Sequence, residues 1–271
     1  MNKIKITQEL FEAHCCSATN SNSTIFDAIK REFELSEIRI FESLGLDVFE
    51  TMPEDIVPLV ERAICLDAYA DAIPHLDLVL TSTGFGVVST SNVVPASADR
   101  VNRLQAKVQA MYEDTIDNII SMLRFFEEWN KSEAAVRLIS SIFWQGKQLR
   151  KYGYPFAHRS DLSYKSSLIY TVEEDLRQFV GDEIMNELIL SIRTASLSPE
   201  QLMLSLLLER VIMAAISDTA KEDMSVLRNT VARYLINYID AFPTFRNSTA
   251  YAAIKQTGYE NKKEDPCFIF R

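Results

Sequence analysis

The chain is short of glycine and proline, with 7 and 8 residues respectively. That scarcity argues against a sandwich or barrel built on many tight turns and for a helix-dominated protein. Cysteine is equally sparse: Cys15, Cys16, Cys65 and Cys267 form no CxxC pair. Two adjacent thiols cannot easily share one structural zinc, and only His14 lies nearby, so reduced thiols in a reducing compartment are the expected reading. Basic charge is deficient too, with 28 Lys and Arg against 38 Asp and Glu and a net charge of −10. Counterion release with DNA or RNA needs the opposite sign, so direct nucleic-acid binding is disfavoured. No secretory n-region and h-region opens the chain. The richest apolar run, Leu202 to Ile216, is broken by Ser205, Glu209 and Arg210. It is no membrane span, and a soluble protein is expected.

Catalytic signatures are missing as well. His14, His75 and His158 sit in separate segments without a carboxylate or cysteine at ligand spacing, which favours structural or surface roles. The acidic pairs Glu127-Glu128, Glu173-Glu174 and Asp182-Glu183 are sequence neighbours on helices. Their side chains diverge, so a solvated face is expected rather than paired general acids. Thr83-Gly84-Phe85-Gly86 has neither a third glycine nor a following Lys-Ser/Thr, and it leads into an apolar β-type run, so it fails as a phosphate loop. The expectation is no enzyme, with no catalytic residue, cofactor or metal.

What is present is helical period. Thr7 is placed to cap a helix through Leu10 and Phe11 after a short alternating Lys3-Ile4-Lys5-Ile6 strand. Ile25, Ile29 and Phe33, then Ile38, Phe41, Leu44 and Val48, continue at helical spacing. Pro53-Glu54-Asp55 marks another start, blurred by Pro58, and Leu59, Ala63, Leu66 and Ala70 extend it toward Pro74. Ser97 is a natural N-cap for the longest expected helix, about 97–129, carried by Val101, Leu104, Val108, Met111, Thr115, Ile119 and Met122. Ser132 opens a further helix through Ile139 and Phe143. Later starts fall at Leu168, Ile184, Ser198-Pro199-Glu200 and Met224.

Gly146, Gly153 and Pro155 interrupt this order within the basic, aromatic stretch Lys147 to Arg159. Residues 146–159 therefore read as a linker between a first half, 1–145, and a second half, 160–271. Lys147, Arg150, Lys151, Tyr152, Tyr154 and Arg159 are the one place where an acidic or nucleic-acid partner is conceivable, although an exposed linker is the plainer reading. Glu61-Arg62-Ala63-Ile64 after one Pro-Glu start and Glu209-Arg210-Val211-Ile212 after another suggest duplication of a helical unit.

One segment departs from the helical pattern. Leu76 to Ser89 contains two apolar β-type runs around Gly84-Phe85-Gly86, a hairpin signature near residues 76–90. A lone two-stranded ribbon is marginal in water, so it packs on its helices or pairs outside the chain. Phe268-Ile269-Phe270, after a polar turn, reads as a terminal strand seeking an edge. The expected fold is thus mainly α: a multi-helix bundle with one long central helix, this hairpin and short terminal strands.

Three segments carry a family resemblance: Leu78 through Ser89, Asn92-Val93-Val94-Pro95-Ala96-Ser97 with Arg100-Val101, and Asn261-Lys262-Lys263 ahead of Phe268-Ile269-Phe270. Together they resemble an uncharacterised family encoded in phages and prophages of Bacteroides-type gut bacteria. Its members tend to lie among virion structural genes, and their helical build is similar to head–tail connector or adaptor proteins. The resemblance implies a virion protein made in the bacterial host cytoplasm and acting by assembly, as a ring homo-oligomer. Its implied partners are the portal, neighbouring connector subunits and tail proteins. The assembly contact expected from these readings comprises Leu78, Leu80, Gly84, Phe85, Gly86, Val87, Val88, Phe268, Ile269 and Phe270. The competing expectation is a monomeric helical ligand-binding or regulatory protein whose hairpin covers a pocket. A third is an enzyme whose residues are widely dispersed.

Overall fold

The computed structural model describes residues 4–15, 24–76, 78–81, 84–87, 97–217 and 223–256. It is mainly helical and divides into two compact units, Met1–Leu138 with Trp144–Ser163, and Ile139–Phe143 with Tyr164–Arg271.

The first unit holds α1 (Gln8–His14), α2 (Thr24–Leu44), α3 (Val57–Ala72), the short strands β1 (Leu78–Thr81) and β2 (Gly84–Val87), and α4 (Ala98–Leu123). It continues through α5 (Glu127–Asn130), α6 (Glu133–Leu138), α7 (Gly146–Leu149) and the first turn of α8 (Arg159–Val180). Thr7 caps α1, its hydroxyl accepting from the Leu10 N–H at 3.3 Å. Gly45 stops α2 in the left-handed region at φ 64°, and a Cβ there would meet the Ala134 Cβ at 2.5 Å. Only glycine serves both demands. Pro58 sits in the first turn of α3, where its missing N–H is harmless.

The core runs along α3. Val60, Ala63, Ile64, Cys65, Leu66, Ala68, Tyr69 and Ala70 are all buried, so apolar residues cover every face of this helix. It packs against α2 and α4. The longest helix, α4 at 26 residues, is therefore a flank of the core, and the central position expected of it belongs to α3. Phe11 adds α1 to this core through rings of Phe33 and Tyr69, with centroids 5.5 and 5.7 Å away. Trp129 is fully buried, and its indole N–H donates to the Leu44 carbonyl at 2.7 Å.

Several expected elements are shorter. The helix expected over 97–129 ends at Leu123, because Phe126 turns extended (φ −106°, ψ 119°) and opens α5 instead. The helix expected from Ser132 through Phe143 is α6 alone. Residues 4–7 form no strand: the Ile4 N–H donates to the Glu37 carboxylate at 2.9 Å, a side-chain acceptor in place of a strand edge. The expected strand at Phe268-Ile269-Phe270 lies outside the described residues.

The second unit contains the remainder of α8, then α9 (Asp182–Arg193), α10 (Pro199–Ile216), α11 (Met224–Asn237), α12 (Pro243–Arg246) and α13 (Thr249–Gln256). Ser198 starts α10 with a capping box: its hydroxyl accepts from the Gln201 N–H at 3.1 Å, and the Gln201 side chain accepts from the Ser198 N–H at 3.0 Å. Leu176, Val180, Leu188, Leu204, Leu208, Val211, Val231, Leu235, Phe242 and Phe245 are buried as its core. Among the described residues, no helix is long and apolar enough to cross a membrane.

Candidate functional site

β1 and β2 pair antiparallel, Leu78 opposite Val87, Val79 opposite Gly86, Leu80 opposite Phe85 and Thr81 opposite Gly84. Directly opposed positions share a face, so the register groups positions 78, 80, 85 and 87 on one face and 79, 81, 84 and 86 on the other. The first face carries Leu, Leu, Phe and Val; two of the four positions on the second are glycine. Asp77, Ser82, Thr83 and the expected contact residue Val88 lie outside the described residues, as do Phe268, Ile269 and Phe270.

Beyond the ribbon, α4 begins without a fully buried side chain. From Ala98 to Lys107 its residues are exposed or half-buried, and the first buried side chain is Val108. The Gln105 side-chain amide donates to the Ala70 carbonyl at 3.2 Å, near the end of α3. The turns before Gln105 carry an exposed Asp99–Arg103 pair. Ribbon and unburied turns thus belong to one connection, between the end of α3 and the buried half of α4.

Residues 44–137 match a family of unknown function (DUF6712). The matched stretch is about a third of the chain and spans α3, the ribbon and all of α4. No curated protein and no solved structure matches the chain.

The matched stretch also supplies the acidic side of a polar clamp, with Glu113 and Asp117 buried and Asp114 half-buried on α4. Asp117 is 1% exposed; its carboxylate accepts from the Gly146 N–H at 2.8 Å and from Arg159 at 2.8 Å. Burial pushes its carboxyl above the usual range, against the opposing pull of Arg159 and the Gly146 N–H. Asp114 accepts from Arg150 at 2.6 Å and lies 3.0 Å from His158 Nδ1, while Arg150 also donates to the Ala157 carbonyl at 2.8 Å. Glu113 accepts from the Ser160 N–H at 2.7 Å. At Gly146 a Cβ would lie 2.2 Å from the His158 carbonyl carbon, so the two backbone segments can meet only at glycine.

This clamp corrects the reading of residues 146–159 as an exposed linker. They fold as α7 and a short turn inside the first unit, with Gly146, Gln148 and Leu149 buried. Arg150 and Arg159, expected on a basic patch, are committed to Asp114 and Asp117. His158 belongs to the same cluster. Its Nδ1 has Arg150 and Asp114 both at 3.0 Å.

Of the acidic pairs, Glu127 lies on the expected solvated face with Lys131 at 2.6 Å. Glu173 does not: it is 3% exposed and accepts from Ser141 and from the Ile142 N–H at 2.7 and 2.9 Å. Burial raises its pKa. Cys15 and Cys65 are free and buried, and burial pushes the Cys65 thiol far up. Cys16 and Cys267 are outside the described residues. His14 is held below its ordinary pKa by burial and by Arg62, and His75 lies in the turn after α3. Sequence reasoning missed the clamp, although three acids at i, i+1 and i+4 on the most regular helix, with a basic run still to be satisfied, were its signal.

Proposed function

We propose that this chain is a phage or prophage virion structural protein, a head–tail connector or adaptor subunit acting by assembly rather than catalysis. The observation that carries the reading is the connection between α3 and α4. Among the described residues, the ribbon's principal backbone contacts are between its own strands, and the helical turns from Ala98 to Lys107 that follow hold no fully buried side chain. A two-stranded ribbon gains stability from a partner edge, and heterologous ring contacts supply one without closing on a twofold. Leu78, Leu80, Gly84, Phe85, Gly86 and Val87 are assigned to that contact, with Val88 beside them and Phe268, Ile269 and Phe270 as a second extended contact. The neighbours are other copies of the chain, the portal and tail proteins within the virion.

The test is solution mass by light scattering, for the chain alone and mixed with the portal protein of its own virion. Assembly that disappears when residues 81–88 are deleted supports the reading; an assembled mass unchanged by that deletion sinks it. The alternative, a monomeric ligand-binding or regulatory protein with the ribbon over a pocket, has one observation in its favour. A cavity lies at the foot of the ribbon and is lined in part by Leu76.

A further inference from the structure

That cavity has a volume of about 440 Å³, within the range of small-ligand sites. Its wall comes from α2 and from the end of α3. Ala28, Ile29 and Ala72 give it an aliphatic floor, and Ile29 and Ala72 are themselves buried. Among the described residues, Glu32, Asp71 and His75 are its polar groups, and neither Lys nor Arg lines it. Asp71 is already oriented by Arg39, whose guanidinium reaches its Oδ2 at 2.6 Å, so Oδ1 is left for a second donor. Glu32 and His75 have no hydrogen bond or ion pair among the described residues. The described residues offer no set of three acidic, histidine or cysteine groups placed to hold a metal ion, so an inorganic cation is not the natural guest.

We propose that this cavity binds an alkyl cation: an ammonium or guanidinium head on a short aliphatic stem. The head meets the carboxylates of Glu32 and Asp71, with the imidazole of His75 as a further acceptor, while the stem lies on Ile29, Ala72 and Ala28. A bare anion would face two carboxylates, and a purely apolar guest would leave Glu32 desolvated and unpaired. The same chemistry is offered by a lysine or arginine side chain of a neighbouring protein and by a free diamine. The inference concerns one chain and stands apart from the assembly reading, so either can fail without the other.

The experiment titrates the full chain with n-butylammonium, with N-acetylarginine methylamide, and with 1,4-diaminobutane, using butyrate as the anionic control. Binding is read by calorimetry and by backbone amide shifts. Saturable shifts confined to residues 28–32 and 71–76 are expected with the cations and not with butyrate, weakening as salt is raised because the site is partly open. Glu32→Gln is expected to weaken binding by about tenfold, the loss of one charge-assisted contact. Ala28→Phe, which fills the cavity from an exposed position on α2, is expected to abolish binding while leaving the helical circular dichroism intact. Tighter binding of the arginine derivative identifies a protein side chain as the source; tighter binding of the diamine identifies a free polyamine. Cation shifts scattered over the surface, or binding indifferent to both substitutions, overturn the proposal.

Discussion

From Val108 to Leu123, α4 turns Ile116, Ile119, Ile120 and Leu123 into the core and hands its carboxylates to donors that return from residues 146–160. From Ala98 to Lys107, the same helix offers Asp99, Arg100, Arg103 and Lys107 to the outside and buries no side chain. Charge therefore means opposite things along one helix. In the buried half a carboxylate is structural, because every missing partner leaves a desolvated group. In the free half an ion pair is screened by water and contributes little. Tolerance of change, and so freedom to evolve a partner contact, is concentrated in the free half.

The sharpest way to break this contrast is Asp117→Ala. It leaves the Gly146 N–H and Arg159 without their buried acceptor, and a loss of about 3 kcal/mol in urea unfolding is expected. Gly146→Ala comes next: its Cβ collides with backbone rather than a movable side chain, and a loss of about 2 kcal/mol is expected in the same assay.

Asp117→Asn sharpens the comparison through pH. The native pKa of Asp117 is raised, so the folded state holds the proton more tightly than the unfolded chain does. The favourable contribution is complete below the ordinary aspartate value and is lost as pH rises through the raised one. Wild type measured against Asp117→Asn should lose relative stability as pH rises from about 3.5 upward; a relative gain would refute the burial account. At the small end, Arg103→Ala in the free half removes only an exposed pair, and a change within about 0.5 kcal/mol is expected. A loss there as large as that of Asp117→Ala would erase the distinction between the halves.

Much of the helical framework was legible because its signals are local. Thr7 and Ser198 act within one turn of their own positions, so these caps could be read directly; the start expected at Pro53 falls instead at Val57, and Ser97 precedes α4 without a side-chain cap bond. Element lengths were less legible. Helical period runs on past Leu123, but the chain turns at Phe126, where Trp129 must reach the Leu44 carbonyl across 85 positions of sequence. Of the residues expected at an assembly contact, the backbone pairing of Leu78 with Val87 and Leu80 with Phe85 is described, while Phe268, Ile269 and Phe270 are not. The clamp left only the acids at 113, 114 and 117 and a basic run as its local signal, and nothing local marked the cavity. Glu32 and His75 are 43 positions apart, and neither carries a motif.

Composition and period alone determined that this chain is mainly helical and that glycine is kept for a few places. The scarce glycines also show the limit of that reading: the helical spacing of Leu44 and Val48 runs straight through Gly45, yet Gly45 stops α2 in the left-handed region. Gly146 looked like the same kind of punctuation and is something else, a point where two backbones touch. Tertiary structure decided that difference, as it decided that Asp117 is buried and Asp99 is not. The physical reason is that helical period depends on neighbours three or four residues away. The burial of a charge depends on donors that only the folded chain brings within hydrogen-bond reach.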